Sequence, residues 1–301
     1  MVYRPVSRPL APSRRRCFRW RRLAGAIALY GALLAFSAIL FLPLAWMLAT
    51  SLKTDAEVFS PSPLWLPARP AWENYQRVWH EVPFLRAVSN TLVVTISVIL
   101  GRLASASLAA FAFARLRFRG RQVLFLIVLS TMMIPNHVTI IPSYILFYHL
   151  HWLDSFKPLI VPALLGGGAF SIFLLRQFFL AIPLDLDDAA RIDGARNWQL
   201  YWLIALPMSK PALAAVAVFS FLEQWNDFLL PVIYLTDVRR HTLAVAMQFY
   251  RQQASGTMYG PVRTWAHLMA IALLAMLPCL IIFLAAQRYF MQGLVTAGYR
   301  Q

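Results

Sequence analysis

The sequence predicts an all-α polytopic membrane protein with six transmembrane helices, both termini in the cytoplasm, and a short cytoplasmic helix between spans four and five. Three observations carry that expectation. Of 301 residues, 60% are hydrophobic and only 13% charged, about half the ~25% charge of a soluble domain. Six stretches reach the about 20 apolar residues that a spanning helix needs, and lipid leaves helices as the way to satisfy such a backbone. Lys and Arg collect on one side of the expected membrane, the positive-inside pattern.

The chain opens on a basic cytoplasmic tail, residues 1–22, with eight arginines from Arg4 to Arg22. Span one, about 23–52, has no charge from Leu23 to Leu52. It is too long for the ~7–15-residue apolar core of a signal peptide and reads as an uncleaved anchor. The outer loop after it is rich in Pro and Trp. Prolines at 61, 63, 67 and 70 keep its first half extended, and Trp65, Trp72 and Trp79 suit a membrane interface. WENYQRVWHE reads as a short surface helix or an ordered loop.

Span two, about 87–114, contains Arg102 alone among charges. A tight basic turn, RLRFRGR at 115–121, leads into span three, about 122–150, which holds Pro135 and Pro142 and should kink. His137, His149 and His151 have no metal-ligand spacing with carboxylates and read as a kink neighbour and interfacial polar residues. Span four, about 158–182, starts near Gly166-Gly167-Gly168, which either loosen it or admit a close helix approach. Span five, about 211–235, carries Glu223 and Asp227; span six, about 264–290, carries His267. A polar outer loop joins them, and residues 293–301 return to the cytoplasm. The membrane body of six helices runs from 23 to 292.

On this topology the inner side receives 17 Lys and Arg and the outer side nine. The net charge of +16 is therefore a topology signal that can also touch anionic lipid. No nucleic-acid motif accompanies it, so nucleic acid is excluded as a partner. Cys17 and Cys279 allow neither a disulfide framework nor a zinc site. No GxxxxGK[ST] loop is present, so the chain should not hydrolyse ATP by itself. No Ser/His/Asp, HExxH or paired-Asp pattern suggests a membrane-embedded enzyme.

The cytoplasmic segment 183–210 is the most informative. Pro183 suits the start of a helix, Asp185 can cap it, and Asp187 and Asp188 fall in its first turn, where the helix dipole favours negative charge. Ala189, Ala190 and Ile192 make a small apolar strip. Gly194 closes the helix where a left-handed backbone is needed. Asn197 can cap a second helix, WQLYWLIAL, which Pro207 and Pro211 end. A linker has no need of this combination; a partner's groove does.

These residues resemble the EAA loop of ABC-importer permease subunits, here Asp188-Ala189-Ala190, Gly194 and Ile204-Ala205-Leu206-Pro207. DDAARIDGA, LPMSKPAL and WNDFLLP, with LLRQFF (174–179) and RLRF (115–118), are similar to the carbohydrate branch, the maltose-type second permease. Asp188 stands where that family usually has Glu, keeping the charge with a shorter reach. The resemblance implies that Asp187, Asp188, Ala189, Ala190, Arg191, Ile192, Asp193, Gly194, Leu206 and Pro207 couple the chain to a cytoplasmic ATPase. It also implies a second homologous permease, two ATPase subunits (or a homodimer of one), an extracytoplasmic solute-binding protein and a sugar-like or polyol solute. This chain would bind no cofactor, ATP and Mg belonging to the ATPase. Its place would be a bacterial or archaeal cytoplasmic membrane.

Ionisable groups at membrane depth are functional candidates. Arg102, Glu223, Asn226 and Asp227 are the candidates for the solute path. Glu223 and Asp227, four apart, would share a helix face, and Trp225-Asn226-Asp227 resembles the family's WN[DE] element. Arg102 either neutralises Glu223 or lines the path; Arg176 should snorkel towards the cytoplasm. A stand-alone secondary transporter using Glu223, Asp227 and Arg102 as an ion relay is the competing reading. It has no use for the EAA-like loop.

Overall fold

The computed structural model describes residues 14–60, 65–81, 83–254 and 265–298. The tail before Arg14, Pro61 and Pro63, the outer-loop stretch 255–264 and residues 299–301 lie outside the described residues. The described chain is helical: α1 (Arg14–Ser51), α2 (Asp55–Val58), α3 (Glu73–Glu81), α4 (Phe84–Arg115), α5 (Arg121–Ser130), α6 (Asn136–His149), α7 (Lys157–Gly166), α8 (Ala169–Ala181) and α9 (Leu184–Ile192), then α10 (Asn197–Met208), α11 (Lys210–Trp225), α12 (Leu229–Tyr234), α13 (Leu243–Ala254) and α14 (Trp265–Gly298). Four of these helical stretches are long and apolar enough to cross a membrane: Gly25–Ser51, Phe84–Arg115, Lys157–Ala181 and Trp265–Gln287. Two bent pairs bring the number to six if each counts as one span.

The bends have local causes. Span three turns by 102° between Arg121–Met133 and His137–His149. Pro135, extended at φ −61° and ψ 132°, sits at the break, where it cannot donate to the preceding turn. Pro142, by contrast, is absorbed inside α6. The expected helix over 211–235 is corrected: α11 stops at Trp225 and α12 restarts at Leu229. The ring of Pro231 would meet the carbonyl of residue 227, so the helix cannot continue through Asp227. The companion bend, 75°, lies between α10 and α11 at Ser209.

α4 is the central post. It packs against α7 and α8 on one side and α11 and α13 on another. The closeness at α7–α8 explains the Gly triplet. A Cβ on Gly167, whose φ is +60°, would lie 2.6 Å from the Ala106 backbone nitrogen. The triplet is thus a mid-span break at a close crossing rather than a loose start of span four. Ser105 bridges the crossing, its hydroxyl donating to the Ala163 carbonyl at 3.0 Å.

At the end of the molecule that carries α9, Phe111, Phe179, Leu175 and Leu200 form a core joining α4, α8 and α10. Ser107 and Tyr201 share a buried 2.7 Å hydrogen bond within it. In a second cluster, Val78 of α3 packs with Phe84, Phe221, Trp225 and Ile271. WENYQRVWHE is therefore a helix held against protein. Asn74 fixes it by donating to the Ser51 and Lys53 carbonyls, each at 2.9 Å. Trp65, Trp72 and Trp79 stay exposed.

Candidate functional site

Two sites hold the residues singled out above. The first is the elbow α9–α10. α9 begins one position before Asp185: Pro183 is the N-cap and no side chain caps the helix, so the expected Asp185 cap is corrected. Asp185 and Asp187 occupy the first turn, where negative charge meets the helix dipole. The far end agrees with the sequence. Gly194 is left-handed at φ +85°. Its N–H donates to the Arg191 carbonyl at 3.0 Å, and the Ala195 N–H donates to the Ala190 carbonyl at 2.9 Å. These two bonds make a Schellman motif, which only a residue tolerant of the left-handed region closes without strain.

The elbow angle is held from both sides. Arg191 donates to the Asn197 amide oxygen at 3.1 Å, so Asn197 ties the two helices together instead of capping the second. The second helix is capped from within: the Gln199 side chain accepts the Arg196 N–H at 2.8 Å. α10 contains a π turn, Leu200–Ala205, directly before Pro207. A wider turn makes room for a proline ring and marks functional segments in other helices. Pro207 therefore does not end the helix, which runs on to Met208.

The surface splits the expected coupling residues. Asp188, Ala189, Arg191, Ile192, Asp193 and Gly194 are exposed, Ile192 at 86%. Ala190 and Leu206 are partly buried against the core that contains Phe179. Asp187 is buried, at 7%. It faces inward to Arg115, whose Nη1 stands 3.2 Å from Oδ2, with side chains 2% and 9% exposed. Arg115 Nη2 also donates to the Phe179 and Ile182 carbonyls, both at 2.6 Å. Asp187 thus leaves the exposed set. Arg115 is the residue that sequence reasoning passed over; its one signal was its place in RLRF at a span's end.

The second site lies at membrane depth. Arg102 meets Glu223 with Nη1 to Oε2 at 2.5 Å and Nη2 to Oε1 at 3.5 Å. Nη1 also donates to the Ser220 hydroxyl at 3.2 Å. Arg102 Nε is buried without a hydrogen-bond partner among the described residues. Glu223 is the open end of the pair, 57% exposed against 16% for Arg102.

Asp227 does not share a helix face with Glu223, because α11 has already ended. Its carboxylate accepts from the Leu230 N–H at 3.4 Å, which orders the start of α12. Asn226 donates to the Leu222 carbonyl at 2.8 Å, and Trp225 Nε1 to the Ala275 carbonyl at 3.1 Å. The WND element is a helix break with every side chain engaged. No group of three or more His, Cys, Asp or Glu suited to a metal occurs among the described residues.

Comparison with known proteins decides the family. Residues 97–295 match the model of the binding-protein-dependent transport system inner membrane component, a stretch that spans both sites. The chain belongs to this family. It is similar to the sn-glycerol-3-phosphate transport system permease protein UgpE of Yersinia pestis bv. Antiqua (strain Antiqua), 32% identical over 263 residues, with 85% of this chain and 91% of that one aligned. The UgpE of Salmonella typhimurium is 34% identical over 264 residues, covering 86% and 92%. Among solved structures, a chain of a bacterial ABC transporter involved in the import of the acidic polysaccharide alginate aligns with TM-score 0.76 at 24% identity, covering 93% of this chain and 100% of that one. A chain from the alginate ABC transporter in complex with alginate pentasaccharide-bound periplasmic protein gives 0.61 at 18%, over 89% and 95%. The chain is accordingly an inner-membrane transport permease of several apolar helices, a non-catalytic role. Transport in its family depends on a binding protein.

Proposed function

We propose that this permease is one half of the membrane path of an ATP-driven ABC importer for a sugar or related polyol, coupled to a cytoplasmic ATPase through α9. In this reading the bent pairs each count as one span, giving six, and both termini are cytoplasmic. The observation that carries it is the exposed, Schellman-closed helix Leu184–Ile192, which presents Ile192 bare at its end, with Leu184, Leu186 and Trp198 also exposed nearby. A short amphipathic helix with an unpartnered apolar tip, fixed to the membrane body at both ends, suits a groove on another protein. ATP-driven closure of two ATPases would move two such helices, one per permease, and tilt the spans behind them. ATP and Mg would be held by the ATPases and by no residue of this chain.

The solute class rests on the second site. Relatives named for glycerol phosphate and for acidic alginate carry anions. Here the guanidinium of Arg102 is already answered by Glu223, which supports a neutral polyhydroxyl solute passing this half of the path. The same pairing removes two charges that a gradient-driven relay would need. An extracytoplasmic binding protein would deliver the solute, and a homologous permease would complete the path.

The test is purification of the tagged chain in mild detergent with mass spectrometry of what accompanies it, repeated for Asp188→Lys and Gly194→Val. An ATPase and a second permease should co-purify, and the ATPase should be lost from both variants. A chain that purifies alone and moves solute into liposomes without ATP overturns the reading.

A further inference from the structure

We infer that Arg115 is a positioning residue: with Asp187 it forms the joint through which α9 moves α4. Three elements meet at this one guanidinium. It is the last residue of α4. It holds the Phe179 and Ile182 carbonyls at the end of α8, both at 2.6 Å. It also faces the Asp187 carboxylate of α9 at 3.2 Å. Nη2 of the planar guanidinium donates to both carbonyls while Nη1 meets the carboxylate as an ion pair without a hydrogen bond. Both side chains are buried, at the floor of a cleft that Arg121, Leu184 and Asn197 also line. Asp187 therefore offers little surface to a docking protein, whereas its neighbour Asp188 is exposed.

The same helix carries the other charged contact near its middle. Arg102 lies 13 residues up α4, about 20 Å at 1.5 Å per residue. There it pairs with Glu223 of α11, beside the Gly167 crossing, where a Cβ would strike Ala106. α4 thus carries two ion pairs, one at its last residue against α9 and one near its middle at membrane depth. A push on α9 reaches the inner path as a rigid displacement of α4 rather than as a bend of the α8–α9 connection. This deepens the importer reading and rests on it for the source of the push.

The experiment uses the full chain in its purified complex, with Cys17→Ser and Cys279→Ser. Spin labels at Leu186→Cys on α9, outside the coupling set, and Leu100→Cys on α4 report the joint; labels at Leu100→Cys and Phe36→Cys on α1 report movement of α4. Distances are measured with and without MgATP and vanadate. With Arg115 and Asp187 intact, the α9–α4 distance should stay single and unchanged, while the α4–α1 distance shifts with nucleotide. In Asp187→Asn, an isosteric change, and in Arg115→Met, the α9–α4 distribution should broaden and the α4–α1 shift should be lost while ATP hydrolysis persists. A support needed only for stability would lower yield and leave the shift intact; that result overturns the joint, as does an α9–α4 distance that changes with nucleotide in the unaltered pair. If no ATPase accompanies the chain, the importer reading fails instead. Broadening in Asp187→Asn without nucleotide then still supports the joint, and an unchanged narrow distribution overturns it.

Discussion

Arg115, the last residue of α4, stands 3.2 Å from Asp187 in the first turn of α9, and both side chains are buried. Neither end can be removed without leaving a charge in a closed, low-dielectric site. Removing one partner of a buried pair is far more costly than removing both. Arg115→Met is expected to destabilise the permease by about 3 kcal/mol, read as a fall in melting temperature in detergent. Arg115→Met combined with Asp187→Leu should cost less than the sum of the single changes. Additive losses would show that the two side chains do not interact.

Gly194 is left-handed with no atom within 4 Å of where a Cβ would stand. The cost of a side chain there is conformational alone, about 1–2 kcal/mol for a β-branched residue. Gly194→Val should insert at normal levels and lose the ATPase on purification. Gly194→Asn, which tolerates this backbone region, should keep more of it. Equal retention by both variants would separate the Schellman turn from docking.

Gly167 is the opposite case, left-handed and crowded. A methyl group would lie 2.6 Å from the Ala106 nitrogen and 2.8 Å from its Cα, backbone atoms that cannot turn aside. Gly167→Ala should lower the yield of folded protein in the membrane far more than Gly194→Ala. The comparison is fluorescence-detected size exclusion of the two variants. Similar profiles would contradict the close crossing of α4 and α7–α8.

Arg102→Ala leaves the Glu223 carboxylate unanswered at membrane depth, which lipid surroundings penalise. It should lower the melting temperature, and adding Glu223→Gln should recover part of the loss. Glu223→Gln alone should be milder, because Glu223 is the exposed member of the pair. No recovery in the double variant would deny the pairing any energetic weight.

The outer face should be sensitive to acid. Burial holds the His241 imidazole below its ordinary pKa, against the opposing pull of Asp237 and Asp154. A base whose folded pKa is depressed gives stability that is complete above about pH 6.5 and is lost as pH falls towards the folded value. The Asp154 carboxyl is held below its ordinary range, first by the Asp237 N–H, then by the Thr236 N–H and Arg240. Its contribution is present above about pH 4 and fades only below it. Melting temperature should therefore drop between pH 7 and 5, and His241→Phe should flatten that drop while Asp154→Asn leaves it in place. A drop of equal size in His241→Phe would assign it elsewhere.

The helices and the elbow were legible because their signals are local. Runs without charge, such as Leu23–Leu52, and the glycine at 194 state their conformation in the residues themselves. Helix interruptions were legible only in part. Pro135 breaks span three as expected, yet the same reasoning gave Asp185 the cap that Pro183 takes and ran span five unbroken through Asp227. Cap and break positions depend on one or two residues competing for the same backbone groups, and sequence patterning does not rank those competitors.

By itself the sequence determined that the chain is a multi-helix membrane protein with a short helix closed by Gly194, because hydrophobic length and backbone handedness belong to single segments. Only the tertiary structure decided what each charge does. Asp187 and Asp188 are adjacent and chemically alike, yet one is sealed against Arg115 and the other faces water. Of the two roles the sequence left open for Arg102, the packing of α4 on α11 selects the pair with Glu223, while Asp227 orders a helix start instead of sharing that face. Such differences arise from which faces of distant helices meet, and a side chain's partner across helices leaves no mark on its neighbours in sequence.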